Sequence, residues 1–168
     1  PTSNSGPTNP VARRTRSAGH SFSDPSTSLN GGPFSTGLDQ STSTVLFSLH
    51  GYTSRALWNM NYTGFQSIAD EFGFIVVYPQ GTLLPATGQT HWNVGGWTTS
   101  SITDDVGFLN EVIDFLDDEY SINLKKIYST GMSNGGYMSY KLACDLSSRI
   151  AAVVSVTGSM TVETVEGC

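Results

Sequence analysis

From residue 45 onward the chain alternates short apolar runs with segments in which apolar positions recur every three or four residues. Val45 to Leu49 is a largely apolar, β-branched run that leads straight into His50 and Gly51, which predicts a buried strand ending in a turn. Between Asn61 and Phe72, the side chains of Phe65, Ile68, Ala69 and Phe72 fall at helical spacing, and Gly73 stands where a helix is capped. Phe74 to Tyr78 is continuously apolar and stops at Pro79, the pattern of a strand covered on both faces in a parallel sheet. Strand, helix, strand implies a right-handed crossover.

Residues 82 to 101 have no clear period and carry Pro85, Gly88, His91, Trp92, Gly95, Gly96 and Trp97, a long loop of the kind that usually has a functional role. Asp104 and Asp105 open the next helix, where carboxylates cap free amides and favour the positive end of the dipole. Its buried stripe is Val106, Leu109, Val112, Ile113 and Leu116, and Asn110, Glu111, Asp114, Asp117 and Asp118 face water. Lys126 to Thr130 gives a third strand, Ser133 to Leu146 a helix, and Ile150 to Val156 a fourth strand. Repeated βα units of this kind predict an α/β fold, a parallel sheet with helices on both faces.

Residues 1–44 are dominated by Ser, Thr, Gly, Pro and Asn without apolar periodicity, so they are expected to form a flexible segment, with residues 45–168 as the folded domain. The net charge of −6 argues against a nucleic-acid surface, and the one basic cluster, Arg13, Arg14 and Arg16, falls in that segment. No apolar run approaches a membrane span, and the first residues lack the pattern of a signal peptide, so an exported form would already have lost its signal. Charged residues make up only 13% of the chain, a balance that suits an extracellular or periplasmic protein. Cys144 and Cys168 permit one disulfide, and a buried free Cys144 is the alternative.

Between the third strand and its helix stand Gly131, Met132, Ser133, Asn134 and Gly135, which match the G-x-S-x-G nucleophile elbow in its strand-turn-helix context. The turn lifts the serine hydroxyl above the sheet, and Gly131 and Gly135 remove side chains that would clash there. A phosphate-binding turn is the competing reading, but the segment lacks both the Lys of a P-loop and the G-x-G-x-x-G spacing. Oxyanion donors are expected from the amide of Asn134 and from the loop after the first strand, where Tyr52 is the candidate. His50, at that strand's end, suits a bracing role better than that of catalytic base.

The stretches LHGYTS from Leu49, ADEFGFIVVYPQGT from Ala69, HWNVGGW from His91, DDVGFLNEVID from Asp104 and YSTGMSNGGYMSYKLAC from Tyr128 resemble the polyhydroxybutyrate depolymerase-like esterases. That α/β-hydrolase family also includes feruloyl and acetyl-xylan esterases, and the resemblance covers residues 45–168. It implies a three-layer sandwich with a mostly parallel sheet, ending here after the strand that follows the nucleophile helix. It also implies hydrolysis of carboxylic esters through an acyl-enzyme on Ser133, with no cofactor or metal and with a small-molecule, polyester or plant-wall ester as partner. The family order is serine, acid, histidine, yet His91, the last histidine, precedes Ser133, so the acid and base are expected in further sequence. Glu163 and Glu166 read as surface charges. Trp92 and Trp97, with Tyr52, are expected to line a substrate pocket, with core packing as the alternative for the tryptophans. A non-catalytic module that binds esters or polysaccharide is the competing function.

Overall fold

The structure is a computed structural model that describes residues 43–168; the N-terminal segment and its arginine cluster lie outside the described residues. Strands β1 (Val45–Leu49), β2 (Ile75–Val77), β3 (Ile127–Met132) and β4 (Ala152–Val156) form one parallel sheet in the order β2-β1-β3-β4. The helices are α1 (Ala56–Thr63), α2 (Phe65–Phe72), α3 (Asp105–Tyr120), α4 (Asn134–Asp145) and α5 (Val162–Gly167), with a 3-10 turn at Gly96–Thr98. None of these helices is long and apolar enough to cross a membrane.

Period-two alternation sorts the strand side chains onto two faces. Val45, Phe47, Leu49, Ile75, Val77 and Ile127 share a core with Leu109, Val112, Ile113 and Leu116 of α3 and Met138 and Leu142 of α4. Val76 and Tyr78 point the other way, to Ala69 of α2 and to Ala56 and Met60 of α1. The chain leaves β1 toward β2 on one side and β3 toward β4 on the other, so right-handed crossovers put their helices on opposite faces. These connections diverge beyond the carboxyl ends of β1 and β3, the place at which open α/β sheets bind ligands.

Three differences from the sequence expectations have local causes. The expected helix from Asn61 to Phe72 is two helices, because Gly64 at φ 63° ends α1 by donating its N–H to the Met60 carbonyl and then starts α2. Of the expected α2 stripe only Ala69 is buried; Ile68 and Phe72 are exposed because the second core is small. Helices cover both faces only over β1 and β2: the outer face of β4, with Val154 and Val156, is exposed among the described residues.

Helix α5 is too short to show a periodic signal in the sequence. Thr161 caps it by accepting from the Thr164 amide, and a disulfide between Cys144 and Cys168 ties it to α4. In α3, Asp104 caps as expected by accepting from the Gly107 amide, whereas Asp105 is buried and accepts from the Asn93 amide at 2.6 Å.

Candidate active site

Ser133 lies between β3 and α4 with φ 52° and ψ −118°, a conformation that a non-glycine residue adopts at a cost of about 1–3 kcal/mol unless its surroundings enforce it. Three restraints enforce it here. The Ser133 amide donates to the Val156 carbonyl at 2.8 Å, the Ser133 carbonyl accepts the first helical bond from Tyr137 at 3.0 Å, and the flanking glycines pack backbone against backbone. A Cβ on Gly131 would meet the backbone of Gly135, and one on Gly135 would meet the Leu49 and His50 carbonyls. The result is an exposed serine held in a strained turn at the carboxyl end of the sheet.

The loop after β1 lies against it: a Cβ on Gly51 would stand 3.8 Å from that of Ser133 and 3.3 Å from the Met132 carbonyl. The orientation of this loop is set by His50, which is fully buried. A carbonyl can only accept, so the 2.8 Å contact with the Gly51 carbonyl fixes a proton on Nδ1. Nε2 is then the acceptor, taking the Gly81 amide at 3.0 Å and the Gln80 side-chain amide at 3.2 Å. Burial holds this imidazole below its ordinary pKa, against the opposing pull of the Gly51 bond and the Asp105 charge. His50 is thus a neutral brace.

The Gly51 carbonyl also accepts from the Ser54 amide at 3.1 Å. In a trans peptide the carbonyl and the next N–H point in opposite directions, so anchoring this carbonyl twice fixes the direction of the Tyr52 N–H. The Asn134 amide heads α4, where the first N–H groups have no acceptor within the helix. The Tyr52 ring meets Trp97 edge-on, with centroids 5.2 Å apart, and its hydroxyl donates to Thr87 Oγ1 at 2.6 Å.

Trp92 departs from the expected pocket role. It is fully buried, part of the core and bonded to both neighbouring loops, whereas Trp97 is 48% exposed beside Tyr52. A polar partner for each N–H accompanies the burial of Trp92, whereas the Trp97 ring lies edge-on to that of Tyr52. His91 is likewise buried, its Nδ1 donating to the Thr82 carbonyl at 3.0 Å, so it is no mobile substitute base. Glu163 is exposed, as read from sequence, and the amides of Glu163 itself and of Gly96 hold its carboxyl below the ordinary range. The support given by Asn59, whose amide donates to the Ser48 carbonyl at 2.9 Å, had no signal in the sequence.

Residues 58–167 match the model of the prolyl oligopeptidase family. The chain belongs to that family. A bifunctional acetylxylan esterase/xylanase from Neocallimastix patriciarum is 33% identical over 69% of this chain and 16% of its own length. A poly(3-hydroxybutyrate) depolymerase from Ralstonia pickettii is 29% identical over 60% of this chain and 22% of its own. Among solved structures, an acetyl xylan esterase from Aspergillus awamori superposes with a TM-score of 0.58 at 20% identity, over 71% of this chain and 43% of that one. These similarities and the sheet order give the chain the α/β-hydrolase fold. The chain spans well under half the length of the curated relatives it matches, 16% and 22% for the two named here.

Proposed function

We propose that the protein hydrolyses carboxylic esters with Ser133 as nucleophile and the Tyr52 and Asn134 amides as oxyanion donors. The observation that carries this reading is the enforced positive φ of an exposed serine at the carboxyl end of β3, beside the end of β1. Ser133 Oγ attacks the acyl carbon while its proton passes to a base; the tetrahedral oxyanion is held by the two amides, and its collapse expels the alcohol. Water then repeats the sequence on the acyl-enzyme and releases the acid. Both nitrogens of His50 are committed to backbone partners and His91 is fully buried with Nδ1 on the Thr82 carbonyl, so the base and its orienting carboxylate are assigned to sequence outside residues 43–168. Tyr52 and Trp97 supply an aromatic wall for the substrate. The names of the relatives point to acetylated or other plant-wall esters and to polyhydroxyalkanoates, and the Cys144–Cys168 disulfide supports an extracellular or periplasmic setting.

The test is turnover of nitrophenyl acetate by full-length protein beside Ser133→Ala. Loss of at least ~10³-fold is expected, from the removal of the nucleophile. Turnover that survives Ser133→Ala would refute the assignment. A second reading, an ester-binding or polysaccharide-binding module without turnover, is favoured by the engagement of His50 and His91. It predicts binding of polyester or acetylated xylan with no hydrolysis by the full-length chain.

A further inference from the structure

The parallel ladder between β1 and β3 ends at the Leu49–Gly131 pair. Beyond it the chain segments that carry the two proposed oxyanion amides, residues 50–52 and 132–134, no longer share ladder hydrogen bonds. Their relative position needs another restraint, because an oxyanion site works only with both donors about 2.7–3.1 Å from one oxygen.

One residue is bonded to both segments. The Trp92 backbone makes a two-bond clamp on the Asn134 side chain: its N–H donates to Asn134 Oδ1 at 2.7 Å, and its carbonyl accepts from Asn134 Nδ2 at 3.0 Å. The Trp92 indole N–H donates to the His50 carbonyl at 2.9 Å, and its ring packs on the His50 imidazole with centroids 4.9 Å apart. Trp92, His50 and Asn134 are all fully buried, so none of these bonds competes with water. The His50 carbonyl precedes Gly51 in the chain, and the His50 ring holds the Gly51 carbonyl whose peptide carries the Tyr52 N–H.

We propose that Trp92 is a positioning residue that holds the Tyr52 and Asn134 amides in one fixed relation across the end of the sheet. The proposal rests on the oxyanion roles given above. A side chain other than Trp cannot fill this place with the same bonds. It needs the reach to span from the Asn134 side chain to the His50 carbonyl, an apolar body for the core, and one N–H at its far edge. Asn at 134 suits the clamp, since its short side chain carries an acceptor and a donor on separate atoms that can meet the N–H and the carbonyl of one backbone residue.

The experiment uses full-length protein with nitrophenyl acetate and a trifluoromethyl ketone, a mimic of the tetrahedral intermediate. Trp92→Phe keeps the ring in the core and removes the indole N–H; Asn134→Ala opens the clamp and leaves the indole in place. Each is expected to lower kcat by roughly 10- to 100-fold, the scale of a misplacement near 1 Å, with KM within about twofold. Affinity for the ketone is expected to fall by the same factor as kcat/KM, and the double variant to be no worse than the poorer single one. Unchanged kcat, or a rise in KM that accounts for the whole loss, would overturn the proposal. So would failure of both variants to fold by circular dichroism, which would make the clamp a folding requirement instead. Ser133→Ala separates the two claims: if it retains turnover, the nucleophile reading fails, and if it abolishes turnover while Trp92→Phe keeps kcat, only the role of Trp92 fails.

Discussion

Replacing His50 by Phe keeps an aromatic ring in the core and deletes both nitrogens, so the hydrogen-bonding part of its effect is computable from the bonds that are lost. The buried Gly81 amide loses its acceptor, and the Gly51 carbonyl keeps only the Ser54 amide of its two donors. An orphaned buried donor costs about 1–3 kcal/mol and a lost neutral hydrogen bond about 1 more, so the folded state is expected to weaken by roughly 2–4 kcal/mol. For a domain of this size that corresponds to a fall in Tm of about 8–16 °C. The Tyr52 N–H, no longer fixed through the Gly51 carbonyl, should lose part of its alignment, and kcat should fall by about 10- to 100-fold against the 10²–10³ of a deleted donor.

The same residue predicts a pH dependence. Burial holds the folded His50 below the 6.5 of a free imidazole. A depressed folded pKa means that below the unfolded value the unfolded chain binds a proton that the folded one refuses. The stability tied to the neutral ring is therefore fully present above about pH 6.5 and is lost as pH falls from there through the folded value, by up to about 1.4 kcal/mol per pH unit. Urea unfolding between pH 8 and 5 measures it, with His50→Phe as the subtraction that removes this one group. Wild-type and variant curves that stay parallel across that range, or a variant with unaltered Tm and kcat, would refute the bracing role and the tautomer assigned to it.

Two further outcomes follow from contacts already described. Gly135→Ala should fold poorly or not at all, by circular dichroism and soluble yield, because its Cβ would stand 2.7 Å from the His50 carbonyl oxygen in a backbone that has no room to move. Reduction of Cys144–Cys168, which closes a separation of 24 residues, should lower the stability seen in urea unfolding by roughly 3–4 kcal/mol. It should also raise amide exchange in α5, which that bond ties to α4.

What could be read from the sequence is what local chemistry determines. Val45 to Leu49, but for Ser48, and Phe74 to Tyr78 are apolar on both strand faces, and such a run has few other places to go. Ser133 could be singled out because two glycines at fixed offsets mark a turn that tolerates no Cβ. Gly64 misled because a glycine inside a periodic segment is compatible with a continuous helix, and only the tertiary path selects the left-handed turn that ends α1. The exposed face of β4 was equally hidden, since Val and Ala at every position but Ser155 give the same pattern whether one face is covered or two. Trp92 and Trp97 show the limit most clearly. They sit five positions apart in one aperiodic loop, yet one is sealed in the core and the other stands half exposed beside Tyr52. The deciding partners, the Asn134 side chain and the His50 carbonyl, are each 42 residues from Trp92 in sequence. A residue that joins two loops across the end of a sheet carries its evidence in those loops, so its role becomes visible only once β1 and β3 lie side by side.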